Sequence, residues 1–208
     1  VADRTSQQVA DGLARARESV MRASVASSAH RTVTESVGEE RESIRAFDLP
    51  IDGNGGIYGG IAWGRAIHKC IEAVGRGRDG KSLTAFIAAV VADEGLRPEQ
   101  CSEVARLLGE LRKSECWTSL MAAGAPCFEL PVMSVSRDGD RTVVSEGVID
   151  AATLHDGGWF VADWKTDGVD EATWTHRAEK YRKQVAAYEQ MLTALSGRPS
   201  RSELHRVR

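Results

Sequence analysis

The chain reads as an α/β protein, and three observations carry that reading. Apolar residues recur at a period of 3.6 through successive segments of the first half. After Cys127 the pattern changes to β-prone runs punctuated by turn residues, and after Trp174 helical spacing returns. With 208 residues the chain can enclose one full core and carry a helical appendage.

Taken in order, Val9, Leu13, Ala16 and Val20 predict an amphipathic helix over about residues 6–26. Residues 24–52 are polar, Ser- and Glu-rich and weakly patterned, which reads as linker or a loosely packed segment. This divides the chain into an N-terminal helical and linker extension, 1–52, and a main domain, 53–208. A glycine cluster at 53–60 leads into a helix striped with Ile67, Cys70, Ile71 and Val74. Leu83, Phe86, Ile87, Val90 and Val91 mark a second helix, with Ser82 as its expected N-cap. Val104, Leu107, Leu108 and Leu111 mark a third. Strands are predicted at 127–135, 142–154 and 158–165, followed by a helix over about 174–195. The tail carries Arg198, Arg201, Arg206 and Arg208, a basic patch that reads as solvated.

The most informative stretch is Gly147–Asp150 followed by Trp159–Asp167, where two aspartates and a lysine interrupt apolar, β-prone runs. Desolvating such charges without partners costs several kcal/mol, so their placement needs a reason. Asp-Gly is a strong hairpin signal. With Asp156-Gly157 as the turn, Asp150 falls opposite Asp163, with Cβ atoms on the order of 5 Å apart. Lys165 then shares their face. A Gly157-Gly158 turn sets Asp150 opposite Lys165 instead and keeps all three on one face; only a three-residue loop would break the arrangement. Two carboxylates with an ammonium beside them make a site for a hard cation, Mg²⁺ or Mn²⁺, and suit phosphodiester hydrolysis. A bare D-x-K reads more simply as a structural Asp–Lys pair, but the apolar flanks on both strands weaken that reading.

Other residues are less telling alone. His68, on the Ile67/Ile71 helix, reads by itself as a core or boundary histidine, and Glu129 as an exposed strand residue. Gln184 lies within an apolar and aromatic stripe of Tyr181, Val185, Tyr188, Met191, Leu192 and Leu195. Its amide needs a partner, either a substrate phosphate or a backbone carbonyl. Gly75–Ser82 matches GxxxxGK[ST], the phosphate-cradling loop of NTPases. That loop should follow a buried strand, whereas residues 67–74 have helical period, so a glycine-rich connection between helices is the better reading.

A net charge of −3 argues against a uniformly basic nucleic-acid binder but is compatible with a nuclease whose acidic site offsets basic rims. No run of about 18 apolar residues is present, so no membrane span is expected. The N-terminus lacks the apolar core of a signal peptide, and it opens on Val1, as an alternative start or a piece of a longer protein would. Cys70, Cys101, Cys116 and Cys127 are irregularly spaced, which reads as buried, reduced thiols in a cytoplasmic protein.

In order, the motifs are G-x-x-x-H (Gly64, His68), E-x-P (Glu129, Pro131), G-x-x-D (Gly147, Asp150), D-x-K-T-D (Asp163, Lys165, Thr166, Asp167) and Q-x-x-x-Y (Gln184, Tyr188). The set resembles the RecB/AddA-type branch of the PD-(D/E)xK nuclease superfamily, over about residues 57–195. The resemblance implies a restriction-endonuclease-like core, a mixed sheet flanked by helices. It implies that His68, Asp150 and Asp163 ligate Mg²⁺ or Mn²⁺, with the Trp164 carbonyl as a backbone ligand, and that Lys165 is the catalytic lysine. Gln184 and Tyr188 would line the DNA cleft, and Glu129 would support the site. The implied activity is exonuclease-like hydrolysis of DNA in double-strand break repair and recombination, alone or with a helicase. The family carries helicase motors upstream and a further strand after Q-x-x-x-Y; here the tail either supplies that strand or leaves the sheet edge open. The alternatives are a non-catalytic DNA-binding or scaffold remnant of such a nuclease, and a small P-loop NTPase.

Overall fold

The computed structural model describes residues 28–33, 60–122 and 124–208, with backbone alone at 28–32 and 138. In chain order its elements are β1 (Ser28–Thr32), α1 (Ile61–Gly75), α2 (Gly80–Asp93), α3 (Gln100–Leu111), α4 (Glu115–Ala122), β2 (Cys127–Asp138), β3 (Arg141–His155), β4 (Gly158–Lys165), α5 (Glu171–Ser196) and β5 (Ser200–Arg206).

The strands form one five-stranded mixed sheet organised around β3. β2 runs antiparallel along one edge of β3, from Cys127↔Ala152 to Asp138↔Arg141. The other edge is shared: β1 lies parallel to Thr142–Glu146, and β4 lies antiparallel to Ala151–His155. Residues 147–150 fall in the interval between them. β5 closes the sheet, parallel to β4 from Trp159↔Ser200 to Lys165↔Arg206.

The β3–β4 turn sets this register. Asp156 and Gly157 have φ of 50° and 80°, the two left-handed positions of a type I′ hairpin. His155 pairs with Gly158 and Ala151 with Ala162, so the Asp-Gly alternative is the one adopted.

Each face of the sheet has its own core. α1, α2, α3 and α4 cover one side, packing Ile67, Ile71, Val104, Leu108 and Leu120 against Phe160 and Trp164. On the other side α5 lays Val185, Tyr188, Met191 and Leu192 over Val132, Ile149 and Val161. A mixed sheet with helices on both faces is the arrangement expected of a restriction-endonuclease-like α/β core. Among the described residues, no helix is long and apolar enough to cross a membrane.

Several elements differ from expectation for identifiable reasons. Ser28–Thr32 is a strand paired to β3 and not linker; its pairing partner is more than a hundred residues away, so no local pattern marks it. The helix expected over 6–26 lies outside the described residues. α2 begins at Gly80, with Asp79 at its cap position, because Leu83 N–H already reaches the Asp79 carbonyl at 2.9 Å. Ser82 is therefore inside the first turn and not the cap, where its hydroxyl accepts from Arg78 at 3.4 Å. α4 spans only 8 residues, too few for a periodic stripe to show; Ser114 starts it by accepting Trp117 N–H at 3.1 Å. α5 begins earlier than expected because Asp170 caps Thr173 N–H at 2.7 Å. The tail supplies the further strand, β5, and Arg201, Arg206 and Arg208 have partners, Arg208 meeting Glu171 at 3.1 Å. Arg201 lies over the Phe160 ring, while Arg206 bonds the Val169 carbonyl and Glu171 and covers Trp174. The GxxxxGKS segment joins α1 to α2, with no strand feeding it.

Two glycines give opposite stability predictions. A Cβ on Gly75, at the end of α1, would lie 2.0 Å from the Phe128 ring, so Gly75→Ala should destabilise the fold by about 1–3 kcal/mol. Gly109, inside α3, has nothing within 4 Å of such a Cβ, so Gly109→Ala should stabilise by about 0.5–1 kcal/mol. Urea unfolding of the two variants checks both signs.

Candidate functional site

Asp150 lies in the interval where the edge of β3 passes from β1 to β4. The registers on either side, Phe128↔Ala151, Leu130↔Ile149 and Ala151↔Ala162, place Glu129 and Asp163 as its neighbours on β2 and β4. Three carboxylates thus stand in one row across three strands. The regular ladder omits this row. In its place the Trp164 N–H donates to Asp150 Oδ2 at 2.7 Å.

Glu129 has a φ of 50°, in the left-handed region that costs a residue with a Cβ about 1–3 kcal/mol. The strand pleat also changes phase at this row. Phe128 and Ala151 pack on the α1 side, whereas Leu130 and Ile149, two residues away on each strand, pack on the α5 side. Regular alternation would put each of these pairs on a single face. The slip occurs in both strands at once, so pairing resumes in the same register beyond it.

α1 brings in His68. A Cβ on Gly64, one turn earlier, would already touch Thr166 Oγ1 at 3.4 Å, so the helix lies close to the end of β4. His68 Nε2 is 3.0 Å from the Trp164 carbonyl, and Nδ1 is 3.3 Å from Asp150 Oδ1 and 4.0 Å from Glu129 Oε1. Both ring nitrogens face acceptors, which an imidazolium satisfies by donating twice. A groove of about 420 Å³ opens beside it, lined by Gly64, Arg65, His68, Lys69, Glu72 and Glu129.

Asp163 and Lys165 point from β4 toward α5. Lys165 Nζ is 2.8 Å from Asp163 Oδ2 and 5.0 Å from the centre of the Tyr181 ring. Asp163 is only 2% exposed, and its Oδ2 has no aligned hydrogen bond among the described residues. Tyr188 packs over the row from above. A Cβ on Gly147 would lie 2.7 Å from Tyr188 Cε1, so the glycine of G-x-x-D makes room for the tyrosine of Q-x-x-x-Y. Gln184 Nε2 donates to the Tyr188 hydroxyl at 3.3 Å, a side-chain partner different in kind from the phosphate or backbone carbonyl expected.

The structure therefore brings His68, Asp150 and Glu129 together, with one potential ligand atom from each within 4.8 Å of the others. Asp163 stands outside that triple, held by Lys165, and the Trp164 carbonyl is bonded to His68. Glu129, expected only to support, is close enough to ligate. Sequence reading assigned no role to Tyr181, Asp167 or Arg177, yet they form a linked group: Tyr181 OH donates to Asp167 Oδ2 at 2.6 Å, and Arg177 is 3.3 Å from the same oxygen. The signal was available, since Asp167 continues the alternation of Asp163 and Lys165, and Tyr181 precedes Gln184 by one turn.

The charges in the row behave differently. Burial, and then the Asp150 charge, push Asp163 up to about 6. Burial followed by Asp150 likewise raises Glu129. At Asp150 burial opposes ionisation, but His68, Lys165 and the Trp164 N–H outweigh it and hold the carboxyl below its usual range. Burial works against charge on His68 and Lys165, and the neighbouring carboxylates overcome it in both, raising each pKa. Three carboxylates thus face one lysine and one imidazole. The donor set is mostly oxygen, which is the chemistry a hard cation prefers, with Asp163 Oδ2 paired to Lys165.

No protein-family model and no curated protein matches the chain.

A divalent ion held by this row would compete with protons. A metal requires Asp163 ionised and His68 neutral, and both hold their protons more tightly than usual. Affinity should rise as pH increases through about 6 and on through the raised His68 range, with protons released on binding. Calorimetric titration from pH 5 to 8 in buffers of different ionisation enthalpy measures both; an affinity independent of pH would contradict this account.

Proposed function

We propose that the chain is a divalent-metal-dependent deoxyribonuclease of the RecB/AddA type, hydrolysing DNA phosphodiester bonds in an exonuclease-like manner. The observation that supports this most is the meeting of three acidic strand positions, a lysine and a polar helix pair at one interruption of the sheet. Glu129, Asp150 and Asp163, with His68 and the Trp164 carbonyl, would hold Mg²⁺ or Mn²⁺. Such an ion, when bound, offsets charge on the scissile phosphate and acidifies water.

The chain's own residues divide the remaining tasks. Lys165 is kept protonated by Asp163 and Asp150, with its ammonium over the Tyr181 ring, so it acts as a fixed positive charge for the phosphate or the attacking hydroxide and not as a proton acceptor. Asp163 and Tyr181 limit where its ammonium can go, which reduces the reorganisation needed as charge develops. Gln184 and Tyr188 flank the row from α5 and would position the nucleic-acid backbone. Arg177 and Asp167 extend the same polar face toward the start of the helix. The setting that fits this activity is cytoplasmic repair and recombination of broken DNA, alone or with a helicase. The lysine of the glycine-rich loop, Lys81, has no place in the reaction: it is exposed at the start of α2.

Digestion of end-labelled linear DNA in Mg²⁺ tests the reading. Asp163→Ala should abolish cleavage, and Lys165→Ala should lower it by about 10²–10³, the usual loss on removing a preorganised charge. Lys81→Ala should digest normally, and the protein should hydrolyse no ATP. Full activity in Asp163→Ala would sink the proposal, as would ATP turnover lost specifically in Lys81→Ala. Gln184→Ala separates positioning from folding: cleavage should fall while the melting temperature barely moves. A large loss of stability would make Gln184 a core residue instead.

A further inference from the structure

A second group of metal-binding side chains lies away from the acidic row. Cys116 is on α4, while Glu203 and His205 alternate on β5 and so face the same helix. The thiol sulfur, one carboxylate oxygen and one ring nitrogen all lie within 4.8 Å of one another. In a tetrahedral Zn²⁺ site such atoms sit roughly 3.5 Å apart, given bonds of about 2.0–2.3 Å, so small side-chain rotations would close the set. Cys116 is buried, whereas the His205 and Glu203 side chains are 26% and 42% exposed, which leaves a route for an ion from solvent. Neither ring nitrogen of His205 makes a hydrogen bond among the described residues, and the Glu203 carboxylate is its nearest ionic neighbour at 4.0 Å.

We propose that Cys116, Glu203 and His205 form a Zn²⁺ site that clamps the last strand to α4. A thiolate, an imidazole and a carboxylate suit a borderline-soft ion, whereas the acidic row is mostly oxygen and suits Mg²⁺ or Mn²⁺. The two sites would sort their ions by donor chemistry. Coordination costs Cys116 its thiol proton, which passes to solvent, and three protein ligands leave a fourth position for water. The location gives the clamp a purpose. β5 is the edge strand, held to β4 by parallel pairing, which is slightly weaker per residue than antiparallel. Its His205 pairs with Trp164 and its Glu203 with Ala162, so fixing β5 also fixes the strand that carries Asp163 and Lys165.

Co²⁺ in place of Zn²⁺ provides a test specific to sulfur. The full chain, held in excess Mg²⁺ to occupy the acidic row, should bind one equivalent of Co²⁺ with a thiolate-to-metal charge-transfer band. Zn²⁺ should displace the cobalt and raise the melting temperature. Cys116→Ser should abolish the band, and His205→Ala should weaken binding at least about tenfold. Cys127→Ser, which alters an exposed cysteine elsewhere, should change nothing. Absence of the band in the parent protein, its survival in Cys116→Ser, or unchanged affinity in His205→Ala would each overturn the proposal. Should Cys116→Ser fail to fold, His205→Ala, altered at a partly exposed position, decides it.

Discussion

At the row of Glu129, Asp150 and Asp163, a carboxylate takes the place of a backbone acceptor. Asp150 Oδ2 receives the Trp164 N–H at 2.7 Å, where the antiparallel ladder would otherwise present a carbonyl. Most of the site follows from that exchange. The ladder is interrupted without leaving the amide unsatisfied, the Trp164 carbonyl is left for His68, and the pleats of β2 and β3 change phase together. Asp150 is thereby fixed by its own sheet, and a side chain bonded into a strand in this way has already given up the conformational freedom it would keep on a loop.

The row is unfavourable for the fold by itself. Burial opposes ionisation at all three carboxylates, and the Asp150 charge repels the other two. Asp150 wins the competition because His68 and Lys165 both favour its charge, while Asp163 and Glu129 hold their protons more tightly. Positive charge is supplied from both faces of the sheet, by His68 on α1 and by Lys165 beside α5. The two hydrophobic cores that seat these helices therefore also set the electrostatics of the row, and a packing change on either face would be felt there.

How much of this could be read from the sequence varies with the distance over which each feature is determined. The β3–β4 hairpin was legible because Asp156-Gly157 fixes both turn and register locally, and register then places Asp150 beside Asp163. α1, α3 and α5 were legible from their periodic stripes. β1 was not, since its partner is β3, more than a hundred residues on, and its five residues carry no pattern. α4 was too short to show a period. At the site, the positions of Gly147, Gln184 and Tyr188 acquire physical reasons only in three dimensions: Gly147 leaves room for the Tyr188 ring, which accepts a hydrogen bond from Gln184 at its hydroxyl. The closeness of Glu129 to His68 was hidden, because it depends on a left-handed backbone at a residue type that gives no warning of one.

Diffraction from crystals loaded with Mn²⁺, recorded at the manganese absorption edge, tests the central claim most directly. The acidic row should carry an anomalous peak within about 2.0–2.3 Å of carboxylate oxygens from Asp150 and Asp163, as expected for a hard divalent ion of this size. Lys165 should remain within reach of the same carboxylates. Manganese bound elsewhere, with the row still closed on its own hydrogen bonds and ion pairs, would contradict the account.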